Sequence, residues 1–361
     1  MTGFRKGALV LELIVAVGFL FIGPVFAASP NLESWKPSFD PSGAKYKCIV
    51  SNVSHPAIKG VFAGFALRDE LWKRTNGQIF VDYKPFSMLG GEVEVLNQLQ
   101  MGAIQGMGVS SVASTNLGPR FGLVNLPFLI DTDEKLDKFI ANKKLFNHFL
   151  MATDHQGITA LDISTYGTYG WATTKPIRHI SDMANNKFRI AEAAVNQLTY
   201  QQWGVNPVPM PWPDVPVALK QGVITALDHT DLVCDLTKKF EVAKYFTRVN
   251  YAKGLFIWLF NKAWLNSLPD DLKTTFVTTV NEVCAQYRKA GVEQETAVRN
   301  KLPTIGVEVI ELPADEMEIL RKKGTAVHEK YAAEINKLYP GDTYRPENYL
   351  KEVQDFLGYQ P

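Results

Sequence analysis

The hydrophobic and polar positions alternate between two periods along most of the chain. Residues 46–53 (YKCIVSNV) are rich in β-formers and stop at His55-Pro56. A helical pattern follows over 57–75, with Phe62, Phe65, Ala66 and Leu71 on one side and Gly77 as its stop. Residues 78–86 (QIFVDYKPF) alternate as a strand, 92–101 read as a second helix closed by Gly102, and 104–110 read as a short buried strand. Strand, helix, strand, helix and strand joined by short loops predict a largely parallel α/β sheet.

The second half repeats the theme with different punctuation. An apolar loop (LPFLI, 126–130) precedes a predicted helix over 134–152, and 157–164 (GITALDIS) form a strand. The next seven residues, TYGTYGW (165–171), mix Gly and aromatics and suit a crossing strand or hinge. A short helix begins at Ser181, residues 187–190 (KFRI) form a strand, and 191–203 form a helix ended by Gly204. The segment 206–216 is proline-rich and reads as an extended loop, followed by a helix to Lys220 and a strand over 224–228. From 269 to 302 one helical pattern carries Leu272, Phe276, Val280, Val283 and Tyr287 on a single face. At 1.5 Å per residue it is roughly 50 Å long, which suits a helix lying across two lobes better than a break near Gly291. A strand near 307–310 and helices over 315–338 and 346–357 complete the pattern.

Length and charge narrow the picture. The chain has 361 residues, 46% hydrophobic and 21% charged, with a net charge of +1. That size suggests two domains. At the N-terminus Arg5 and Lys6 precede an apolar run over 7–22, broken by Glu12, and Val25-Phe26-Ala27 offers a cleavage signal. The run is short of the roughly 20 residues a spanning helix needs, so residues 1–27 read as a signal peptide. Removing them takes Arg5, Lys6 and Glu12 and leaves the 38 basic and 37 acidic residues at 36 each. Such a balance points to neither nucleic acid nor a charged membrane surface. The expected mature chain does not span a membrane and works in the periplasm. Cys48, Cys234 and Cys284 match no metal spacing, and their odd number leaves at least one unpaired; buried free thiols are the favoured reading, with one disulfide as the alternative.

Enzyme signatures are absent: there is no G-x-S-x-G, H-E-x-x-H or phosphate loop, and Gly106-Met107-Gly108 lacks the rest of a dinucleotide fingerprint. No catalytic residue, metal ligand or cofactor is expected. Binding chemistry is more promising. Arg189 ends the KFRI strand, where α/β sheets place ligands, and a guanidinium pairs two carboxylate oxygens at once. Trp212 and Asp214 sit in the rigid proline loop, Asp228 and His229 follow at a similar strand edge, and Tyr166, Tyr169 and Trp171 line a cleft or pack a hinge.

These segments resemble, in order, the substrate-binding subunits of tripartite ATP-independent periplasmic (TRAP) transporters of the dicarboxylate-binding type. The resemblance covers about residues 45–340. It rests on SNVSHP (51–56), TNGQIFVDYKP (75–85), SMLGGEVEVLNQLQMGAI (87–104), LPFLI (126–130), TTKPIRHISDM (173–183), NNKFRIAE (185–192), WGVNPVPMPWPDVPVALKQGVITALD (203–228) and FNKAWLNSLPDDLK (260–273). It implies a two-lobed α/β periplasmic binding protein fold with a long helix spanning both lobes. Lobe I would cover 45–165 with 255–268 returning to it, and lobe II 166–254. The helix would cover 269–302 and C-terminal helices 303–361. It also implies that Arg189 salt-bridges a ligand carboxylate, with Glu94 as the glutamate after LGG. Trp212, Asp214, Asp228 and His229 would stand in the family's other ligand positions. Tyr169, Trp171, Phe86, Ser110 and His55 complete the ligand-binding set. The partners implied are a small organic acid anion and the small and large integral membrane subunits of the transporter.

Two departures shape the ligand expected. No Arg precedes TTKP, and Thr225-Ala226 replaces the usual Asp-Gly. A second carboxylate would lack its clamp, so a monocarboxylate is expected, with an aromatic body or a 2-oxo or 2-hydroxy group. The alternatives are a C4-dicarboxylate or sugar acid, or an extracellular hydrolase of organic acids.

Overall fold

The computed structural model describes residues 35–338 and 346–360; the predicted signal peptide lies outside them. The chain divides into two units, Met1–Ser38 and Phe39–Pro361, and the fold described here is that of the second. In chain order its elements are β1 (Tyr46–Ser51), α1 (Lys59–Arg74), β2 (Ile79–Lys84), α2 (Glu92–Gln100), β3 (Gly106–Ser110), α3 (Asp133–Ala141), α4 (Lys143–Leu150), β4 (Ile158–Thr173), β5 (Phe188–Ile190), α5 (Ala194–Gln202), β6 (Val208–Pro209), α6 (Val215–Lys220), β7 (Ala226–Thr230), α7 (Asp231–Leu236), β8 (Tyr245–Arg248), β9 (Lys253–Asn261), α8 (Lys262–Ser267), α9 (Asp270–Lys301), β10 (Glu308–Glu311), α10 (Ala314–Leu338) and α11 (Pro346–Leu357).

The strands form one mixed sheet in the order β2-β1-β3-β9-β4-β7-β5-β6, with β8 pairing β4 and β10 pairing β8. As predicted, β1 is parallel to both β2 and β3. The two halves of the sheet share β4. Its first half runs antiparallel to β9, while Tyr169–Thr173 pair with β7 and Trp171–Thr173 with β8. The expected separate strand and hinge are therefore one continuous strand of 16 residues. The crossing is marked instead by a register irregularity between Thr165 and Thr168. There Gly167 takes φ +106°, a conformation that L side chains rarely adopt. Hydroxyls hold the crossing together: Thr165 Oγ1 donates to Gly254 O (3.0 Å), and Thr230 Oγ1 donates to Tyr166 O (2.7 Å).

Other predictions need correction. The helix expected over 134–152 is two helices. Asn142 ends α3 and its side chain accepts from Leu145 N–H to cap α4, so a local side-chain bond overrides the continuous helical period. Asp228 and His229 lie within β7 rather than after a strand. The proline segment holds the short β6 and a 3-10 turn, Trp212–Asp214. All three cysteines are buried and free, and no disulfide forms.

The long helix is a single element of 32 residues, α9. It packs on α1, on β4 and on α7, elements from both halves of the sheet. Gly291 does not break it. A Cβ there would lie 2.7 Å from Thr165 Cγ2, so glycine lets the helix sit directly on the crossing strand. Buried ion pairs fasten the same face: Arg288 Nη1 donates to Asp162 Oδ1 (2.7 Å), Lys253 Nζ pairs with Glu295 (3.0 Å), and Arg299 pairs with Asp231 (3.2 Å). Aromatics fill the core on either side. Phe65, Tyr83 and Trp258 pack in the first half, and Trp171, Phe188 and Trp203 in the second.

Candidate functional site

Strands from both halves of the sheet converge on one cavity. Ser110 closes β3, Tyr166 and Tyr169 come from β4, Arg189 from β5, Asp228 and His229 from β7, and Phe256 from β9. Val53 and Ser54 follow β1, Glu92 opens α2, Asn196 comes from α5, and Ala191 and Trp212 come from connecting segments. This is the carboxyl-end edge of β1, β3 and β5, the edge at which α/β sheets hold ligands. The void enclosed measures about 30 Å³, room for about one water molecule.

Arg189 is the centre of the charge pattern. Its residue is 4% exposed, and its Nε and Nη2 both donate to the Met210 carbonyl (3.0 and 2.6 Å). That fixes one edge of the guanidinium. Nη1 makes no hydrogen bond to a described residue, and no carboxylate among them lies within 4.0 Å. Burial lowers the Arg189 pKa, and the charge of Glu92 opposes that shift. A guanidinium nonetheless stays charged. Its free edge is thus a donor pair in a low-dielectric pocket, suited to a carboxylate.

Two acids flank it. Glu92 accepts from Ser110 N–H (2.8 Å) and Ser110 Oγ (3.0 Å). It sits at the first residue of α2, where the helix dipole favours a negative charge. Burial raises its pKa, with those bonds and Arg189 pulling the other way. Asp228 is 2% exposed and accepts from Tyr251 Oη (2.8 and 2.9 Å) and Asn196 Nδ2 (2.6 Å). Burial pushes its carboxyl up to about 6 despite those bonds and the Arg189 charge. Beside it, Thr230 N–H donates to His229 Nδ1 (2.9 Å), which leaves Nε2 as the protonated nitrogen. Burial, then Arg189 and Lys239, hold the His229 pKa well below its usual value, so the ring is neutral. The Trp212 ring packs against that ring at 4.7 Å, tilted by 53°, and the Tyr166 and Tyr169 hydroxyls bond to each other (2.7 Å).

The structure therefore brings Arg189, Trp212, Asp228, His229, Tyr169 and Ser110 together. It does not bring in the other five. Glu94 is exposed, its carboxylate against Gly90; it stands about 200° around α2 from Glu92, which takes the inward position instead. Asp214 is exposed in the turn after Trp212. Trp171 is wholly buried against Phe188 and Trp203, part of the core. His55 and Phe86 meet edge to face (5.2 Å) beside Ser54 without lining the cavity. Sequence reasoning missed Glu92, Asn196 and Phe256 as cavity residues, and it missed a second cation. Lys239, 7% exposed, stands 4.9 Å from the Trp212 ring. Only the acidic character of the first turn of α2 was available as a signal for Glu92.

Comparison with known proteins agrees on the class of fold and family. Residues 50–334 match the family described as bacterial extracellular solute-binding protein, family 7. The C4-dicarboxylate-binding periplasmic protein DctP of Rhodobacter capsulatus is 27% identical over 266 residues, 73% of this chain and 79% of that protein. The 2,3-diketo-L-gulonate-binding periplasmic protein YiaO of Escherichia coli (strain K12) is 25% identical over 246 residues, 67% and 74% of the two chains. A crystal structure of a TRAP periplasmic solute binding protein from Desulfovibrio salexigens, with bound orotic acid, superposes with a TM-score of 0.80. It is 20% identical, and the match covers 87% of this chain and 99% of that one.

Proposed function

Because this chain belongs to bacterial extracellular solute-binding protein family 7, as a TRAP substrate-binding subunit of the DctP type, we propose that it captures a small organic acid in the periplasm by pairing one carboxylate with Arg189. The observation that carries this reading is the buried guanidinium, one edge of it fixed by Met210 O, on a side chain that lines the cavity. A neutral ligand would leave that charge desolvated and unpaired.

The finer reading is a monocarboxylate with a 2-hydroxy or 2-oxo group. Glu92 and Asp228 flank Arg189, so a second carboxylate beside the first would meet two acids. Ionised carboxylates only accept hydrogen bonds, which suits a ligand hydroxyl; His229 Nε2–H suits an oxo group. Tyr166, Tyr169, Trp212 and Phe256 supply flat apolar walls for the body. The relative named for 2,3-diketo-L-gulonate fits this chemistry, and the one named for C4-dicarboxylates represents the alternative.

The small void means that the walls part to admit any such acid. We read the first half of the sheet as lobe I, the second as lobe II, and β4 with its irregularity at Thr165/Thr168 as the hinge. Closure on the ligand then creates the surface offered to the small and large membrane subunits. A ligand drives that closure only through better contacts in the closed state.

The test is native mass spectrometry of the purified protein for a co-purified acid, then a thermal-shift screen of lactate, pyruvate, mandelate, gluconate and succinate. A ligand raises the melting temperature by mass action. Arg189→Ala is expected to abolish the shift for every carboxylate. Binding as tight as wild type by that variant overturns the site assignment, and a larger shift with succinate than with any monocarboxylate overturns the finer reading.

A further inference from the structure

The cavity at Arg189 holds about one water, so some wall must yield to an organic acid. Most of its lining is carried by strands with buried side chains. Trp212 differs. It lies in the Trp212–Asp214 turn, none of whose residues is buried. Its side chain makes no hydrogen bond to a described residue. What holds the indole is three neighbours: the His229 ring at 4.7 Å, the Arg189 guanidinium at 5.6 Å and the Lys239 ammonium at 4.9 Å.

Lys239 has no other evident reason to be buried. Its Nζ donates to Thr237 O (3.1 Å), and no carboxylate among the described residues lies within 4.0 Å. Burial lowers its pKa; Cys234 and Glu241 pull the other way, Arg189 repels it, and neither Glu92 nor Asp228 figures among the charges that act on it. A desolvated ammonium with one carbonyl partner is unfavourable unless another group attracts it. The face of an indole is such a group, and its pull on a cation is strongest away from water.

We propose that Lys239 is a positioning residue of the ligand site, holding the Trp212 indole as the wall that moves aside and then recloses on the bound acid. The proposal rests on the Arg189 reading above. When a carboxylate engages Arg189, that guanidinium shares its field between ring and ligand. Lys239, on no cavity wall itself, keeps its grip on the ring and returns it to the site. Its effect on the ligand is therefore exerted through Trp212 and shows in how fast the ligand leaves.

The experiment uses the full mature protein and the acid that gives the largest thermal shift among lactate, pyruvate, mandelate, gluconate and succinate, with affinity from titration calorimetry and rates from stopped-flow fluorescence. Lys239→Met is expected to weaken binding by roughly tenfold, mainly by faster dissociation, while the melting temperature without ligand stays level or rises because a buried charge has gone. Lys239→Arg should restore affinity to within about threefold. In a Trp212→Leu background Lys239→Met should change affinity less than about twofold, since the ring it acts through is absent. An unchanged affinity in Lys239→Met overturns the proposal, and so does an equal loss in the Trp212→Leu background, which would mean direct contact with the ligand. If no acid in the panel binds the wild type, the organic-acid reading fails separately. The positioning role is then judged on fluorine resonances of 5-fluorotryptophan protein, with Trp212 assigned from Trp212→Phe. Lys239→Met should move the Trp212 resonance and Lys239→Arg should bring it back; a resonance unmoved by Lys239→Met also overturns the proposal.

Discussion

Replacing Asp228 by Asn should stabilise the protein while weakening its grip on ligand, and the gain should depend on pH. The carboxyl of Asp228 is pushed up to about 6 in the fold, from 3.8, chiefly by burial. A group whose pKa is raised by folding contributes stability that is fully present below the unfolded value and is lost as pH rises through the folded value. Near pH 4 the carboxyl is protonated in the fold and about half ionised in the unfolded chain, so only about 0.5 kcal/mol is lost. At pH 8 it is ionised in both, and the fold carries a penalty of about 3 kcal/mol, from about two units at 1.36 kcal/mol each. Between those pH values the penalty grows by roughly 2 kcal/mol. Asparagine removes it and keeps the local bonding: its oxygen can accept from Asn196 and its amide can donate to the Tyr251 hydroxyl. For a mature chain of roughly 330 residues the unfolding entropy is near 0.7 kcal/mol per degree, so the melting temperature of the variant should gain about 3 °C on wild type between pH 4 and pH 8. Asp231, also held near 6, titrates in both proteins and cancels from the difference. Differential scanning calorimetry at pH 4, 5, 6, 7 and 8 makes the comparison. A stability difference that stays flat with pH refutes the reasoning, as does a variant that is less stable than wild type only at pH 8.

Three further outcomes follow from the packing. Gly291→Val puts a side chain where Thr165 Cγ2 already stands, 2.7 Å from the new Cβ, and should destabilise by about 1–3 kcal/mol in urea unfolding; a neutral effect would mean α9 does not rest on β4. Lys253→Met removes the buried partner of Glu295 and a neighbour of Thr168 and Asp133. At neutral pH it should cost about 3 kcal/mol, and the loss should shrink at acid pH, where Glu295 takes up a proton; a loss independent of pH would exclude the ion-pair account. Cys48, Cys234 and Cys284 are buried with thiol pKa values raised by burial, so a thiol reagent should modify them only after unfolding and then count three; fewer would reveal a disulfide.

The sequence alone determined whatever depends on neighbours along the chain. Periods of two and 3.6 located α1, β2, α2, α9 and the C-terminal helices to within a residue or two, because those periods record which face of each element is apolar. They also placed Arg189 at a strand end, and the family resemblance put Trp212, Asp228 and His229 in ligand positions, where the cavity is. What depends on docking between distant segments was decided only in three dimensions. Whether Glu92 or Glu94 faces inward is set by the rotation at which α2 settles against Ser110, and both residues look alike in the sequence. That TYGTYGW continues one strand follows from its pairing with β9, β7 and β8, segments 57 to 90 residues away along the chain. Trp171 looked like a cleft aromatic until Phe188 and Trp203 closed over it. Lys239 was one lysine among many; burial against the Trp212 ring, brought from a loop more than twenty residues earlier, is what gives it a role, since a charge acquires meaning from what surrounds it in space.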